Sequence, residues 1–327
     1  MSKFGDIPAN APMGVNESLR RNAAGDGFEG FIAAPLASPS FTGTVRLLGA
    51  DTNIEVKSIT NEPSAPSAGN ILIYPKIISG RVILKTKGPS GLDSPLQNAI
   101  YQNNIQIWTP TNVTAGAWQG DLSVTTGTYS LGTMSSPSTI YASMRRSRYA
   151  NIVTTLNQVL GVINTNASWQ RGNIAGVGGF FMVSRIGFDV WTNGSRFFVG
   201  LATANTVISA DPSALANTCG FMVDAADNGL IHFGTRDAST SNKTSTGFTI
   251  VTGKGYDFYM FAAPNGASIS WRIVDTNLGT EASGTTSTNL PVNTTLLRCM
   301  GLASNAALTP VTSTQIGLSR IYIETDY

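Results

Sequence analysis

Short apolar runs separated by tight-turn signals recur along this chain, and this pattern constrains the fold more than any other feature. Residues 256–262 lead through Asn265-Gly266 into residues 268–274, and Asn228-Gly229 stands between two further apolar runs. Asn-Gly pairs tolerate the positive φ angles that two-residue hairpin turns require. Short strands with such turns between them are typical of an all-β sandwich or barrel, which we expect for residues 111–327.

Alternation of residue type predicts which side chains of these strands are buried. Tyr256, Phe258 and Met260 share one face of their strand, because successive side chains of a strand point to opposite sides. Across the turn, Ile269 and Trp271 share a face in the same way. We expect the two faces to meet in one core. Residues 152–160 are the one helical candidate, and their β-branched content makes them equally readable as a strand.

The rest of the chain divides into two further regions. Residues 1–45 contain four prolines and few large hydrophobic residues, so this stretch cannot bury enough surface to fold alone and is expected to be an extended arm held by a partner. Its only helical signal is one turn at residues 16–21. Residues 46–110 predict a small β domain with a hairpin at 71–84, turning at Ser79-Gly80, and a strand at 105–108. Its core is marginal, and self-association would supply the missing burial.

The composition excludes several classes of function. Charged residues make up 12% of the chain and the net charge is +2, so nothing indicates a nucleic-acid surface. No apolar run reaches the roughly 20 residues that cross a bilayer, and no secretory signal is recognisable. We therefore expect no membrane insertion and a protein that stays in the cytoplasm or leaves it on lysis. Cys219 and Cys299 lie in apolar runs and are expected to be reduced core thiols, with a single bridge as the alternative.

The sequence carries no convincing catalytic or cofactor motif. His232, the only histidine, sits in the middle of a strand, so we expect it to be structural or exposed. Asp224 and Asp227 could form a catalytic pair or a calcium site, but an aspartate before Asn228-Gly229 is ordinary turn chemistry. The glycine-rich stretch 172–179 precedes a strand, the wrong order for a phosphate loop. We predict no enzyme activity, no metal and no cofactor.

Two sets of residues remain as binding candidates. The cluster Arg145, Arg146 and Arg148 is interpreted as a solvated strand edge kept from mispairing by its charges, with a charge-binding surface as the alternative. Exposed aromatic rings can stack on sugar faces. Three tryptophans in polar, loop-like settings are therefore candidate glycan contacts: Trp118, Trp169 and Trp191. Trp108 and Trp271 are better placed for the core.

The phrases at residues 39–45 and 60–98 resemble segments of tailed-bacteriophage virion proteins, in particular tail-fibre and other tail-associated proteins. In residues 60–98, a proline-rich lead (Glu-Pro-Ser-Ala-Pro at 62–66) precedes the hairpin, and Gly-Pro-Ser-Gly-Leu-Asp follows it at 88–93. Pro-Ser-Phe-Thr-Gly-Thr-Val at 39–45 is similar to a phrase of phage fibre and collar proteins. By strand order and texture, residues 111–327 also resemble the jelly-roll, lectin-like modules at fibre tips.

The resemblance implies a virion structural protein assembled in the bacterial host cytoplasm. The arm would anchor it to other virion proteins, the middle domain would space and trimerise it, and the sandwich would meet a host-surface glycan. A head fibre, capsid decoration or neck component is the first alternative, and a polysaccharide depolymerase is the second. The candidate anchoring residues are the large apolar side chains of the arm: Phe4, Ile7, Phe28, Phe31 and Phe41.

Overall fold

The computed structural model describes residues 17–21, 28–32, 57–61, 63–64, 66–67, 70–87, 104–110, 117–119, 123–134, 139–151, 155–174, 177–204, 210–306 and 313–326. The chain divides into two compact units, residues 1–56 and 57–327. Its strands are β1 (Glu17–Arg21), β2 (Phe28–Ile32), β3 (Leu72–Ile78), β4 (Arg81–Lys87), β5 (Asn104–Thr109), β6 (Ala117–Gln119), β7 (Ser123–Thr126), β8 (Thr128–Leu131), β9 (Ser147–Ala150), β10 (Val159–Asn164), β11 (Gly178–Val190), β12 (Arg196–Ala202), β13 (Thr218–Val223), β14 (Leu230–Arg236), β15 (Ser241–Thr249), β16 (Gly255–Ala262), β17 (Ile269–Asp275), β18 (Glu281–Thr286), β19 (Arg298–Ser304) and β20 (Gln315–Asp326). Helices are α1 (Ile140–Ser143) and two 3-10 turns, Pro212–Ala214 and Ala225–Asp227.

In the first unit, the described residues form a single antiparallel hairpin. Strand β1 pairs with β2 from Glu17 opposite Ile32 to Arg21 opposite Phe28. The helical turn expected at residues 16–21 was therefore wrong for residues 17–21. One isolated helical turn fixes several dihedral angles for a single hydrogen bond, whereas pairing with β2 gives each residue a partner across the ladder.

The second unit is an antiparallel β-sandwich, as the sequence predicted. One sheet has seven strands in the order β15-β14-β13-β12-β19-β10-β7. The other has nine, with the path β18-β17-β16-β11-β20-β5-β6 and with β8 and β9 joined to it through β20. Consecutive strands such as β11 and β12, or β15 and β16, lie in different sheets. Connections that cross repeatedly between two antiparallel sheets are the mark of a jelly-roll architecture.

Aromatic side chains fill the space between the sheets. Phe221 of the seven-stranded sheet lies 4.9 Å from Phe258 and 6.1 Å from Trp271 of the other, between ring centroids. Phe233 stacks on Trp271 at 5.6 Å. Tyr256, Phe258, Met260, Ile269 and Trp271 all belong to this core, so the faces predicted from alternation are confirmed. The predicted core position of Trp108 is also confirmed, because none of its surface is exposed.

Two of the predicted turns, Asn228-Gly229 and Ser79-Gly80, have the backbone geometry that their residues favour. Asn228 and Gly229 have φ angles of 52° and 90°, and Ser79-Gly80 likewise has two positive values, 48° and 81°. The hairpins predicted around these pairs are β13–β14 and β3–β4. The ambiguous segment 152–160 enters β10 at Val159, and its residues 152–154 lie outside the described part of the chain.

The predicted boundary after residue 110 does not match the strand pairing. Strand β5 is present where the sequence placed it, but it pairs with β20 from Ile321 opposite Trp108 to Thr325 opposite Asn104. It is therefore part of the nine-stranded sheet and not of a separate small domain. The reason is burial: Trp108 reaches the sandwich core only from this position. The described part of the expected middle domain is the β3–β4 hairpin with a bridge from Ile59 to Lys76.

A row of glycines crosses the outer face of the nine-stranded sheet. Gly187 of β11 lies in register with Gly255 of β16 on one side and Gly317 of β20 on the other. The ring of Tyr141 from α1 lies over them: a Cβ built on Gly187 would come 2.0 Å from Tyr141 Cε2, and one on Gly317 would come 2.4 Å from its hydroxyl oxygen. The row makes a floor on which α1 is seated.

Within the described ranges, no helix is long and apolar enough to cross a bilayer.

Alanine substitutions along the glycine row should destabilise the protein more where the contact distances are shorter. We expect Gly187→Ala to lower the free energy of unfolding by about 1–3 kcal/mol, the usual range for overpacking, because the new methyl group would also lie 2.6 Å from the Lys254 carbonyl oxygen. Gly255→Ala is the matched control, since its nearest atoms lie 3.1 Å and 3.2 Å away. Urea unfolding measures the free energy of unfolding of both variants. Equal losses would contradict the role of the glycine row as the seat of α1.

Candidate functional site

A cleft of about 300 Å³ lies between the β3–β4 hairpin and the outer face of β17 and β18. The hairpin contributes one wall, with Lys76, Ser79 and Gly80. The sheet contributes the floor, where Ser270 and Arg272 point outward because their neighbours Ile269, Trp271 and Ile273 point into the core. This volume lies at the lower end of the range for small-ligand pockets.

Close contacts of the hairpin tip hold the two walls together. Gly80 has a φ angle of 81°, and a Cβ at this position would lie 2.8 Å from Ser270 Oγ. Only glycine satisfies both the turn and the approach to the sheet. Next to it, the Arg81 guanidinium pairs with Glu324 and lies 5.1 Å from the centre of the Phe181 ring. The tip is therefore seated on the nine-stranded sheet, with Gly80 against β17 and Arg81 against β20 and β11.

The cleft floor is a ladder of polar side chains on two neighbouring strands. Ser270 and Thr285 are cross-strand partners, and their hydroxyl oxygens are 3.0 Å apart. Arg272 donates from Nε to Glu281 Oε2 at 3.0 Å, and its guanidinium lies 5.5 Å from the Tyr259 ring centre. Glu281 is half exposed and is the one carboxylate among the described lining residues. Hydrolysis of a glycosidic bond uses two such groups.

Asp224 and Asp227 are brought together, but a lysine lies between them. Lys243 Nζ donates to Asp224 Oδ2 at 2.8 Å and to both oxygens of Asp227, at 2.7 and 2.6 Å. Asp227 Oδ2 also accepts from the Asp224 backbone N–H, closing a capping box around the 3-10 turn. The turn interpretation is thereby supported. Among the described residues, no group of three or more His, Cys, Asp or Glu could hold a metal ion.

His232 and Asp211 extend this charged cluster. His232 Nδ1 lies 3.4 Å from Asp227 Oδ2 and 3.1 Å from the Leu230 carbonyl oxygen, which fits the expected structural role. Asp211 Oδ1 accepts from Arg196 Nε at 2.6 Å and from the Ala225 backbone N–H at 3.1 Å. Burial alone would raise the pKa of Asp211, but these bonds outweigh it and hold the pKa below the ordinary value. The cluster clamps the turns at one end of the seven-stranded sheet.

The three candidate glycan tryptophans lie in different environments. Trp169 is 1% exposed, so it is a core residue with no ring face open to a sugar. The predicted glycan contact at Trp169 was wrong, because this residue forms a β-bridge with Leu297 that its polar sequence neighbours do not indicate. Trp191 is half-buried and packs against the core edge-on to Phe188, at 5.4 Å. The backbone of Trp118 lies in β6, opposite Trp108. The side chain of Trp118 lies outside the described part of the structure.

The candidate anchoring residues fall largely outside the described part of the chain. Phe28 and Phe31 lie in β2, where the pairing with β1 is described. Phe4, Ile7 and Phe41 lie outside the described residues. Their anchoring role therefore stays a prediction.

The expectation of a solvated strand edge at the basic cluster was wrong. Strand β9 is not an edge, because it pairs with β20 on one side and β8 on the other. Arg146 is buried: its Nη2 donates to Asp189 Oδ1 at 2.9 Å, and its guanidinium lies 4.3 Å from the Tyr141 ring centre. Burial, with the Asp189 carboxylate, raises the pKa of Tyr141 above its usual value, so this phenol stays neutral. Arg146 thus holds α1 on the sheet.

The expectation of two free core thiols is confirmed. Cys219 and Cys299 are both buried and unbridged. They lie opposite Leu201 on the two sides of β12, so one strand separates them by about 9–10 Å between Cα atoms, which is too far for a disulfide. Burial raises the pKa of Cys219 to about 12, so the thiol stays protonated and unreactive at neutral pH.

Sequence reasoning missed the cleft. Alternation would have placed Ser270 and Arg272 on the outer face of their strand, since their neighbours were assigned to the core. Nothing in the sequence indicates that a hairpin almost 200 residues earlier would be seated over them. The site exists only because the two pieces meet in the folded chain.

No protein-family model and no curated protein matches this chain. Among solved structures, it is similar to SO2946, a protein of unknown function from Shewanella oneidensis MR-1, at 13% identity and a TM-score of 0.46, over 68% of this chain and 87% of that one. Arcelin-5, a lectin-like defence protein from Phaseolus vulgaris, gives 11% and 0.45, over 69% and 100%. Peanut lectin gives 10% and 0.42, over 69% and 98%. Similarity at this level carries no information on ligand or activity.

Acid should remove the contribution of Asp211 to stability. Because its folded pKa is depressed, this contribution is fully present above the unfolded pKa of about 3.8 and is lost as the pH falls through the folded pKa. Asp211→Asn should therefore cost stability near pH 6, by less than about 1 kcal/mol since the carboxylate is partly exposed. The difference from the unsubstituted protein should shrink progressively as the pH falls below about 3.8 towards the depressed folded pKa. Urea unfolding across this range measures it, and a constant difference would refute the assignment.

Proposed function

We propose that this chain is a structural protein of a tailed-bacteriophage virion, of the tail-fibre or receptor-binding type. In this proposal the N-terminal region attaches it to other virion proteins, the hairpin region joins copies of the chain, and the sandwich is presented to the host surface. The phrases at residues 39–45 and 60–98 and the low share of charged residues support it. Binding and assembly, and not turnover, would be its mechanism.

The observation that carries the proposal is an exposed apolar face on the β3–β4 hairpin. Residues of this face alternate along each strand and lie opposite one another across the ladder, as Ile77 does with Val82. Contiguous exposed apolar patches larger than a few hundred Å² indicate interaction sites in proteins. The large side chains of the hairpin face are all half or more exposed: Ile71, Ile73, Ile77, Val82 and Leu84.

A second copy of the same chain is the occupant that fits this face best. The exposed side chains of the hairpin face are aliphatic, so an identical ribbon packed against it would match it in both shape and polarity. The face supplies only part of the roughly 800 Å² per partner that a stable interface buries, so neighbouring surface must also contribute. The resemblance to fibre proteins adds that the assembly contains three copies.

Charge placed on the hairpin face should break the assembly. We expect the full chain to run as three copies of 34.4 kDa, about 103 kDa, in size-exclusion chromatography with light scattering. Ile73→Lys and Val82→Lys should shift the mass towards one copy, because each would bury an unpaired ammonium group in the interface. Leu278→Lys is the matched control, since Leu278 is 67% exposed in the turn between β17 and β18, outside the hairpin face, and should leave the mass unchanged.

A monomeric unsubstituted chain, or hairpin variants that keep the parent mass, would rule out the hairpin as the self-association surface.

Location on the particle tests the virion role itself. We expect an electron-microscopy map of intact phage particles carrying this chain to place it on projections of the tail. Copies on the head or in the neck would replace the receptor-binding role with decoration or connection. Complete absence from purified particles would refute the virion role and return a depolymerase or another non-virion function to consideration.

A further inference from the structure

We infer that the outer face of the nine-stranded sheet carries a binding site for a carboxylate group, centred on Arg320 of β20. Arg185 of the neighbouring strand β11 is the second residue of this site. The site lies in the sandwich itself, so it goes beyond the proposed virion role and does not depend on it.

The site occupies a strip of the outer face between the two pieces that are seated on the sheet. Helix α1 covers the cross-strand row that contains Gly187, and the hairpin tip contacts the row that contains Phe181, since Arg81 lies over its ring. The rows of Arg185 and Val183 lie between them, and both residues are partly exposed. The two covered rows are about 20 Å apart along β11, because a strand rises about 3.4 Å per residue. A strip of this width admits a small ligand.

Arg320 faces this strip directly beside Arg185. The two residues are register partners on β20 and β11. Their next residues, Ile321 and Ile186, both belong to the core. The two arginines therefore point outward, because successive side chains of a strand alternate between its faces. Like charges directly opposite one another on neighbouring strands destabilise a sheet, and an anion held between these guanidinium groups would remove that repulsion.

The nearby carboxylates are already engaged by other cations. On its far side, Arg185 donates from Nε and Nη2 to the two oxygens of Asp257, both at 2.6 Å. In the next row, Arg272 is paired with Glu281. The Arg320 side chain has no ion pair among the described residues, and its buried Nε–H has no acceptor there. Within the described residues, the strip therefore carries one uncompensated positive charge.

The tyrosine in the middle of the strip lies within the field of all these charges. Burial is the main cause that raises the pKa of Tyr259, and the Asp257 carboxylate raises it further. Three guanidinium groups act in the opposite direction, those of Arg272, Arg185 and Arg320. Because burial prevails, the phenol stays neutral. A neutral hydroxyl group in this position is a further hydrogen-bond donor for an anion on the strip.

A carboxylate is the anion that suits this arrangement. A guanidinium group presents a planar fork of N–H donors that matches the two oxygens of a carboxylate. One uncompensated charge also matches one carboxylate, whereas a phosphate group carries more charge and is usually held by several cations or by a helix N-terminus. The carboxylate can belong to a sugar acid or to a simple organic acid, because the fork recognises the same group in both.

Ligand-observed saturation-transfer NMR on the full chain tests the site with galacturonate, galactose and acetate. We expect galacturonate to bind with a Kd of about 1–10 mM at low salt, and galactose, in which a hydroxymethyl group replaces the carboxylate, to bind at least about tenfold more weakly. Acetate should displace galacturonate, at a similar concentration if the carboxylate is the whole ligand and at a higher one if the sugar ring adds contacts. No binding of galacturonate at about 50 mM, or equal binding of galactose, would overturn the inference.

The variant Arg320→Gln separates binding from folding. It should weaken galacturonate by about tenfold or more. Without ligand it should unfold at a higher urea concentration than the unsubstituted protein, because it removes the repulsion with Arg185. This gain should shrink at about 500 mM salt, which screens the charges. Lys57→Gln is the matched control, since it removes the same charge at an exposed position outside the strip and should change neither property.

Two results with Arg320→Gln would overturn the inference. Undiminished binding of galacturonate would place the ligand elsewhere on the protein. Unfolding at a lower urea concentration at both salt concentrations would show that Arg320 serves the fold. Neither result bears on the virion role, which is tested by the location of the chain on particles.

Discussion

Interlocked aromatic rings between the two sheets are the contact on which the rest of the structure depends. Phe221 and Phe233 enter from the seven-stranded sheet and meet Phe258 and Trp271 from the nine-stranded sheet. Such rings bury 150–250 Å² each in proteins and add about 0.5–1.5 kcal/mol per well-placed pair beyond that burial. Because connections cross repeatedly between the sheets, strands distant in sequence are held in register only while these inner faces stay packed.

The inner faces of both sheets form the core, so additional pieces of the chain can pack only on the outer faces, as they do on the nine-stranded sheet. Two pieces are seated on it. Helix α1 lies over the glycine row at Gly187, and the hairpin tip approaches Ser270 through Gly80. Both contacts use the same device, a glycine that allows close approach where a side chain would not fit. The cleft is the space left beside the second contact, so its shape is set by that approach.

Assembly and attachment are physically linked in the proposed role. In that role a single sandwich would make a weak contact with a host-surface glycan, and three copies joined through their hairpins would multiply it, since the later contacts become intramolecular. Charged side chains elsewhere form ion pairs within the chain, such as Arg146 with Asp189 and Lys243 with Asp224 and Asp227. This pairing accompanies a low share of charged residues in the chain, 12%.

The sequence by itself determined the strands, their turns and their inward faces. Alternation placed Tyr256 and Trp271 in the core, and the positive φ angles at Asn228-Gly229 follow from residues that tolerate them. These are local properties, set by neighbours along the chain. Only the tertiary structure decided that β5 pairs with β20, that Trp169 and Arg146 are buried, and that a hairpin roofs Ser270 and Thr285. In each case the partner lies tens to hundreds of residues away, and local pattern carries no information on which distant residue supplies it.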